Sequence, residues 1–323
     1  MFNKHNISIY AIAFIFILML NFILPRMMPG DPVMAIYGNE ALVAMTPELK
    51  AQLVERFALD QSLWQQFVAY FSGLFRGELG YSYYFNAPAV SVILGRLPWT
   101  LLLVGTALLI STGLGIVLGI ESGWRRGSKT DRTLLSTLMS LNGFPDFFLG
   151  IILLIGFGVT LGIFPLSGAL TPYSGLSGIA LMMDILKHLF LPVGALTLAY
   201  LGGSYLLTRN TMITVIKEPY MLTAKAKGLS QRRIEYHHAG RNALLPVITR
   251  TGIWVGKIFT GALFLELVFA YPGIGYLTYE ALMARDYPII QGVFLVVAIS
   301  VLLANFLVDL FYSRLDPRVR HAY

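Results

Sequence analysis

Apolar residues gather along this chain in long unbroken stretches and do not alternate with polar ones. Six stretches approach or exceed the roughly 20 residues that carry a helix across a ~30 Å hydrocarbon core. They are residues 7–24, 98–120, 133–162, 185–207, 247–269 and 289–311. The first holds Asn21 as its only strongly polar member, and the second holds no charge. The third is too long for one straight span: Thr133 to Phe164 would reach about 48 Å at ~1.5 Å per residue. Asn142-Gly143-Phe144-Pro145 interrupts it, and a proline there removes a backbone donor, so a kink is predicted near residue 145. The first stretch exceeds a signal-peptide core, and Leu24-Pro25-Arg26-Met27-Met28-Pro29 follows it in place of a small-residue cleavage site, so it reads as a retained helix.

Composition agrees with this pattern. Apolar residues make up 56% and charged residues 13%, with a mean hydropathy of +0.68. These values exclude disorder, a collagen-like chain and an ordinary soluble enzyme. Cysteine is absent, which excludes a disulfide framework, a thiolate nucleophile and a cysteine metal site. The net charge of +7 suggests nucleic acid until the basic residues are placed. With an even number of spans and the N-terminus inside, fifteen Lys and Arg fall on the inner face and seven outside, with Arg250 and Lys257 in the fifth run. This bias puts both termini, 1–6 and 312–323, in the cytoplasm. It turns the basic charge into a topology signal and removes the case for nucleic acid. Segments 121–132 and 208–246 are then cytoplasmic loops, whereas 163–184 and 270–288 are external.

The largest external segment, 25–97, is expected to form a helical cap. Thr46-Pro47-Glu48 resembles a helix start, with an N-cap, proline at the first turn and an acid beside it. Leu49, Leu53 and Phe57 follow on one face. Asp60 is suited to cap a second helix, where Trp64, Phe67, Phe71 and Leu74 recur at helical spacing. That apolar face either packs within the cap or lies on the membrane surface.

The cytoplasmic segment 208–246 carries the strongest local signal. Pro219 suits a helix start, Thr223–Lys227 favours helix, Gly228 suits the left-handed residue that ends one, and Ser230 suits the next N-cap. The prediction is a short helix, a turn and a second helix. Its small residues allow it to seat in a partner's groove; the plainer alternative is a solvated amphipathic loop.

Thr223-Ala224-Lys225-Ala226-Lys227-Gly228-Leu229-Ser230, with Arg241-Asn242-Ala243-Leu244-Leu245-Pro246 downstream, resembles the EAA loop of ABC importer permeases. Within them it is most similar to the dipeptide, oligopeptide and nickel branch, and to the member of the permease pair with the long first external loop. Pro29-Gly30-Asp31-Pro32, Gly77-Glu78-Leu79-Gly80, Arg96-Leu97-Pro98-Trp99-Thr100, Arg126-Gly127-Ser128, Pro272-Gly273-Ile274-Gly275, Arg285-Asp286-Tyr287-Pro288 and Asp316-Pro317-Arg318 extend the likeness, in order, over nearly the whole chain. It departs from the pattern where Thr223-Ala224-Lys225 replaces Glu-Ala-Ala, and where Asp146 follows Pro145 in place of a small or apolar residue.

The resemblance implies an all-α membrane protein of six transmembrane helices with an external cap and a cytoplasmic coupling helix. It implies one half of a pathway in the plasma or inner membrane of a bacterium or archaeon. The implied partners are a second, homologous permease, two ATPase subunits and an extracytoplasmic solute-binding protein. Thr223, Ala224, Lys225, Ala226, Lys227, Gly228 and Leu229 would be the ATPase contact. ATP and Mg would be used by those partners, and no cofactor or metal is expected on this chain. Peptide is the first expectation for the solute, ahead of nickel or a metallophore, glutathione and oligosaccharide.

The chain is not expected to be an enzyme. Gly123-Trp124-Arg125-Arg126-Gly127-Ser128-Lys129-Thr130 lacks the spacing and the preceding strand of a phosphate-binding loop and reads as a basic turn. Glu235-Tyr236-His237-His238 holds one Glu-x-x-His, where a di-iron bundle needs two. An ion- or proton-coupled secondary transporter is the rival reading, since such carriers also use broken helices and midplane charges. Phe144, Pro145 and Asp146 are the candidate pathway residues. A carboxylate inside a membrane is costly, so Asp146 either faces the pathway, favouring cationic solute groups, or pairs with a basic residue such as Lys257. Glu266 is expected to shape an outer turn whose glycines take positive φ. Asn305 and Asp309 share a face at i, i+4 and are expected to bond between helices.

Overall fold

The computed structural model describes residues 4–27, 46–48, 52, 61–82, 84–256 and 262–315. Its helices are α1 (Lys4–Arg26), α2 (Leu63–Arg76), α3 (Ala89–Trp124), α4 (Lys129–Asn142), α5 (Asp146–Leu153), α6 (Gly178–Val215), α7 (Pro219–Ala226), α8 (Arg241–Gly256), α9 (Leu263–Val268), α10 (Ile274–Ala284) and α11 (Tyr287–Leu315). Wide π-helical turns extend α5 over Leu154–Thr160 and lead into α8 over Arg233–Gly240. Two short strands, β1 (Tyr81–Ser82) and β2 (Ala87–Pro88), pair antiparallel before α3. The segment expected to be a helical cap therefore also contains a hairpin. Pro29-Gly30-Asp31-Pro32, Leu49, Leu53, Phe57, Asp60, Lys257 and Asp316-Pro317-Arg318 lie outside the described residues, as does the side chain of Asp309.

The chain divides into two compact units, Met1–Pro98 with Pro272–Leu302 and Trp99–Tyr271 with Leu303–Tyr323. In the first, Ile93 of α3, Ile274 and Leu277 of α10, and Ile289, Ile290 and Val293 of α11 form one buried cluster. Asn21 of α1 donates to the Gln291 carbonyl at 2.8 Å and to the Tyr70 hydroxyl at 3.1 Å. The amide nitrogen of this polar side chain is thereby satisfied, whereas its buried oxygen has no partner among the described residues. Ser82 donates to the buried Asp286 carboxylate at 2.5 Å and so ties the hairpin to the turn before α11. Helix α2 is capped by Ser62. The Ser62 hydroxyl accepts from Gln65 N and the Gln65 side chain accepts from Ser62 N, a reciprocal capping box. Phe67 of α2 meets Phe22 of α1 edge-on at 5.1 Å, whereas Trp64 and Phe75 are exposed.

The second unit is built on α3 and α6, the two described helices long and apolar enough to cross a membrane by themselves. Gly115, Gly119 and Gly123 recur every fourth residue on α3 and face Ser204, Thr208 and Met212 of α6. A Cβ added to them would lie 2.6, 2.5 and 2.6 Å from the Cβ atoms of those residues. Apolar helices in lipid gain little from the hydrophobic effect, so backbone approach through small residues supplies the packing.

Helices α4 and α5 pass the length and hydropathy test only as a pair, bent by 99° at the break. The expected kink is a full break. Pro145 has no N–H to give and disfavours helix at Phe144, and Pro145 itself stands extended at φ −59, ψ 146. A depth for Asp146 counted along one continuous helix therefore does not follow. Apolar helices of 10–17 residues are present at Ile12–Arg26 and Tyr287–Leu303.

Candidate functional site

The C-terminal end of α3, the first turn of α4 and the C-terminal part of α6 meet at a buried carboxylate. Asp131, in the first turn of α4, is 2% exposed. It accepts from the Arg209 Nε at 2.6 Å and NH2 at 2.9 Å, from Ser122 Oγ at 2.5 Å and from Gly127 N at 2.8 Å. Ser122 also lies 2.6 Å from the Tyr205 hydroxyl. The bidentate arginine bond, then Ser122 and Gly127, hold the Asp131 carboxyl far below the usual carboxylate range despite its burial. Sequence reasoning missed this site, because Asp131 and Arg209 stand 78 positions apart.

Helix α7 packs just beyond this junction. Pro219 occupies its first turn and Gly228 follows it at φ +67, a conformation that costs glycine nothing. Met221 and Ala224 turn inward into a cluster with Ile120, Met212, Val215 and Ile234. Ala224, expected among the contact residues, is thus buried within its own chain, and Leu229 is half-buried against the same cluster. Thr223, Lys225, Ala226, Lys227 and Gly228 remain exposed. Leu222, which sequence reasoning did not single out, is 70% exposed on the outward face. Asn242 donates to the Tyr220 hydroxyl at 2.8 Å and links α7 to α8.

The candidate pathway residues cluster at the α4–α5 break. Phe144 and Pro145 are exposed, and Phe144 stacks on Phe148 at 5.5 Å. Asp146 is partly exposed and accepts from Phe147 N at 2.8 Å. An acid in the first turn of a helix complements its dipole, which gives Asp146 a local reason to follow Pro145.

Glu266 is fully buried at the end of the fifth run, where Thr100 donates to it at 2.7 Å and its backbone carbonyl accepts from Tyr271 N at 2.8 Å. It does shape a turn, but the positive φ there belongs to Ala270, at 43°, and not to the glycines. Gly273 is extended before α10, and Gly275 lies inside that helix. Asn305 is exposed. Ser128 caps α4 after a turn at 125–128, so the phosphate-loop-like string is a helix boundary. No group of three or more metal-ligating side chains occurs among the described residues.

Long apolar helices, a broken helical pair and a short helix with one exposed face mark a helical membrane protein. The chain belongs to the family of binding-protein-dependent transport system inner membrane components, whose model matches residues 111–321. It is 35% identical to the dipeptide transport system permease protein DppB of Escherichia coli (strain K12), over 99% of this chain and 98% of that one. It is likewise 35% identical to the di/tripeptide transport system permease protein DppB of Pseudomonas aeruginosa (strain UCBPP-PA14), over the same shares. The probable peptide ABC transporter permease protein y4tP of Sinorhizobium fredii is also 35% identical, over 98% of this chain and 96% of that one. Membership makes the chain a permease subunit of an ABC importer, in which ATP hydrolysis belongs to separate subunits, and sets aside the secondary-transporter reading.

Proposed function

We propose that this chain forms half of a peptide pathway and converts closure of its ATPase partners into a change of pore access. The observation that carries the reading is α7, whose inner face is locked to α6 and α8 while Leu222, Thr223, Lys225 and Ala226 face outward. A short helix fixed to two longer ones passes a displacement on as a rigid lever. The outward residues seat in a groove of an ATPase subunit that uses ATP and Mg. A second, homologous permease supplies the other half of the pathway, and an extracytoplasmic binding protein delivers the peptide. Six spans with both termini cytoplasmic fit the inner-face excess of Lys and Arg. The full-length 35% identity to dipeptide permeases supports a peptide solute.

Phe144, Pro145 and Asp146 line the pathway at the α4–α5 break, with Asp146 favouring the amino terminus of the peptide. The test is ATP-driven uptake of a dipeptide by the reconstituted complex. Uptake is expected to vanish when the ATPase subunits are omitted. Uptake unchanged without them, driven by an ion gradient, overturns the proposal. Normal transport and unchanged solute preference in Asp146→Asn remove the pathway role of that residue alone.

A further inference from the structure

Beside α7 lies a pocket of about 700 Å³, lined by Glu121, Trp124, Arg125, Arg232, Glu235 and Tyr236. Glu235 is only 5% exposed, and its Oε1 is buried without a hydrogen-bond partner. A buried carboxylate oxygen left without a donor is costly, so such a group either holds a proton or awaits a cation. Glu121 stands beside it as a second acid. One of its oxygens accepts from the Tyr236 hydroxyl at 2.7 Å and the other lies 3.2 Å from Arg125. Burial first, then the negative charge of Glu121, pushes the Glu235 carboxyl upward, against Arg125 and Arg232. Neither arginine bonds to Glu235 Oε1, and the Arg125 side chain is 57% exposed. The indole of Trp124 offers a face for the stem or charge of a cationic group.

The wide helical turn that opens at Arg233 carries Glu235 into this pocket, and such turns are frequent at functional sites. Ile120, Trp124 and Ile234 pack in the same cluster as Met221, Ala224 and Leu229. The pocket therefore continues the surface to which α7 belongs. The inference requires that a subunit seated on the outward face of α7 also reach the mouth of the pocket.

We propose that this pocket receives a lysine or arginine side chain of the ATPase subunit, with the Glu235 carboxylate accepting its hydrogen bond and Glu121 supplying the second negative charge. The inference rests on the reading that an ATPase seats on α7. The experiment is a structure of the assembled importer in lipid nanodiscs, nucleotide-free and nucleotide-bound, paired with ATPase affinity measured over a salt series. A basic ATPase side chain within hydrogen-bonding distance of Glu235 is expected in at least one state. Glu235→Gln, which keeps the side-chain shape, is expected to weaken ATPase binding roughly tenfold and to flatten its salt dependence, with Glu121→Gln milder in the same direction. Both variants should leave the melting temperature of the free permease pair unchanged. An ATPase seated on α7 with the pocket filled only by Arg125, Arg232 or a small free cation overturns the inference. So does unchanged affinity and salt dependence in Glu235→Gln. An ATPase that does not touch α7 at all defeats the proposed function itself.

Discussion

Asp131→Ala removes the carboxylate that ties α3, α4 and α6 together. Arg209, whose side chain is 12% exposed, is then left charged and without its bidentate partner, and the Ser122 and Gly127 donors lose their acceptor. Breaking a buried ion pair from one side costs about 3–5 kcal/mol. At about 2–4 °C per kcal/mol for a unit of this size, the melting temperature in detergent falls by roughly 6–20 °C. The double variant Asp131→Ala with Arg209→Ala leaves no orphan charge, so it should be less destabilised than the two single losses added together. Because the folded-state value of Asp131 lies below its ordinary 3.8, its stabilisation is fully present above that ordinary value. It is lost as pH falls through the lowered folded value. Between pH 5 and 8 this residue therefore contributes no pH dependence. Strict additivity of the two single variants, or an Asp131→Ala melting temperature equal to wild type, would refute the reasoning.

Three further outcomes follow from packing and hydrogen bonding. Gly119→Ala puts a methyl 2.5 Å from the Thr208 Cβ and should cost about 1–3 kcal/mol by overpacking, seen as a lowered detergent melting temperature. The control Gly113→Ala, with nothing within 4 Å, should be neutral or slightly stabilising. Thr100→Val removes the hydroxyl that donates to buried Glu266 and should cost about 1–3 kcal/mol, with Thr100→Ser restoring most of it in the same melting assay. Ser62→Ala removes the capping box of α2 and should destabilise that helix by about 1 kcal/mol, read as faster amide exchange over residues 63–66 and no change around α7.

The apolar runs were legible because lipid imposes a length and a composition on any helix within it. Pro145 marked the interruption, but a proline tolerates anything from a slight kink to the 99° turn found here, and tertiary packing decides between them. The left-handed Gly228 was legible from local chemistry alone. Ala270 was not: its positive φ is imposed by the turn that returns Tyr271 N to the Glu266 carbonyl, and nothing in its own side chain announces it. The inward turn of Ala224 and the outward turn of Leu222 reverse what their hydrophobicity suggests, because the helical phase of α7 is set by Met221 seating in the cluster with Ile120 and Met212. Asp131 reads as an ordinary first-turn acid until Arg209 is brought to it. Sequence reasoning passed over the Gly115, Gly119, Gly123 repeat, whose meaning needs the facing α6 surface.

The length of α6 has a mechanical consequence. Its 38 residues make a rod of about 57 Å, and the eight residues from Thr208 to Val215 carry it about 12 Å past the end of its apolar span. Under the proposed coupling, a push applied at that tip would act on a moment arm of about this length. It would pass to α3 as a torque about the glycine seam, where Gly115, Gly119 and Gly123 let the two backbones approach.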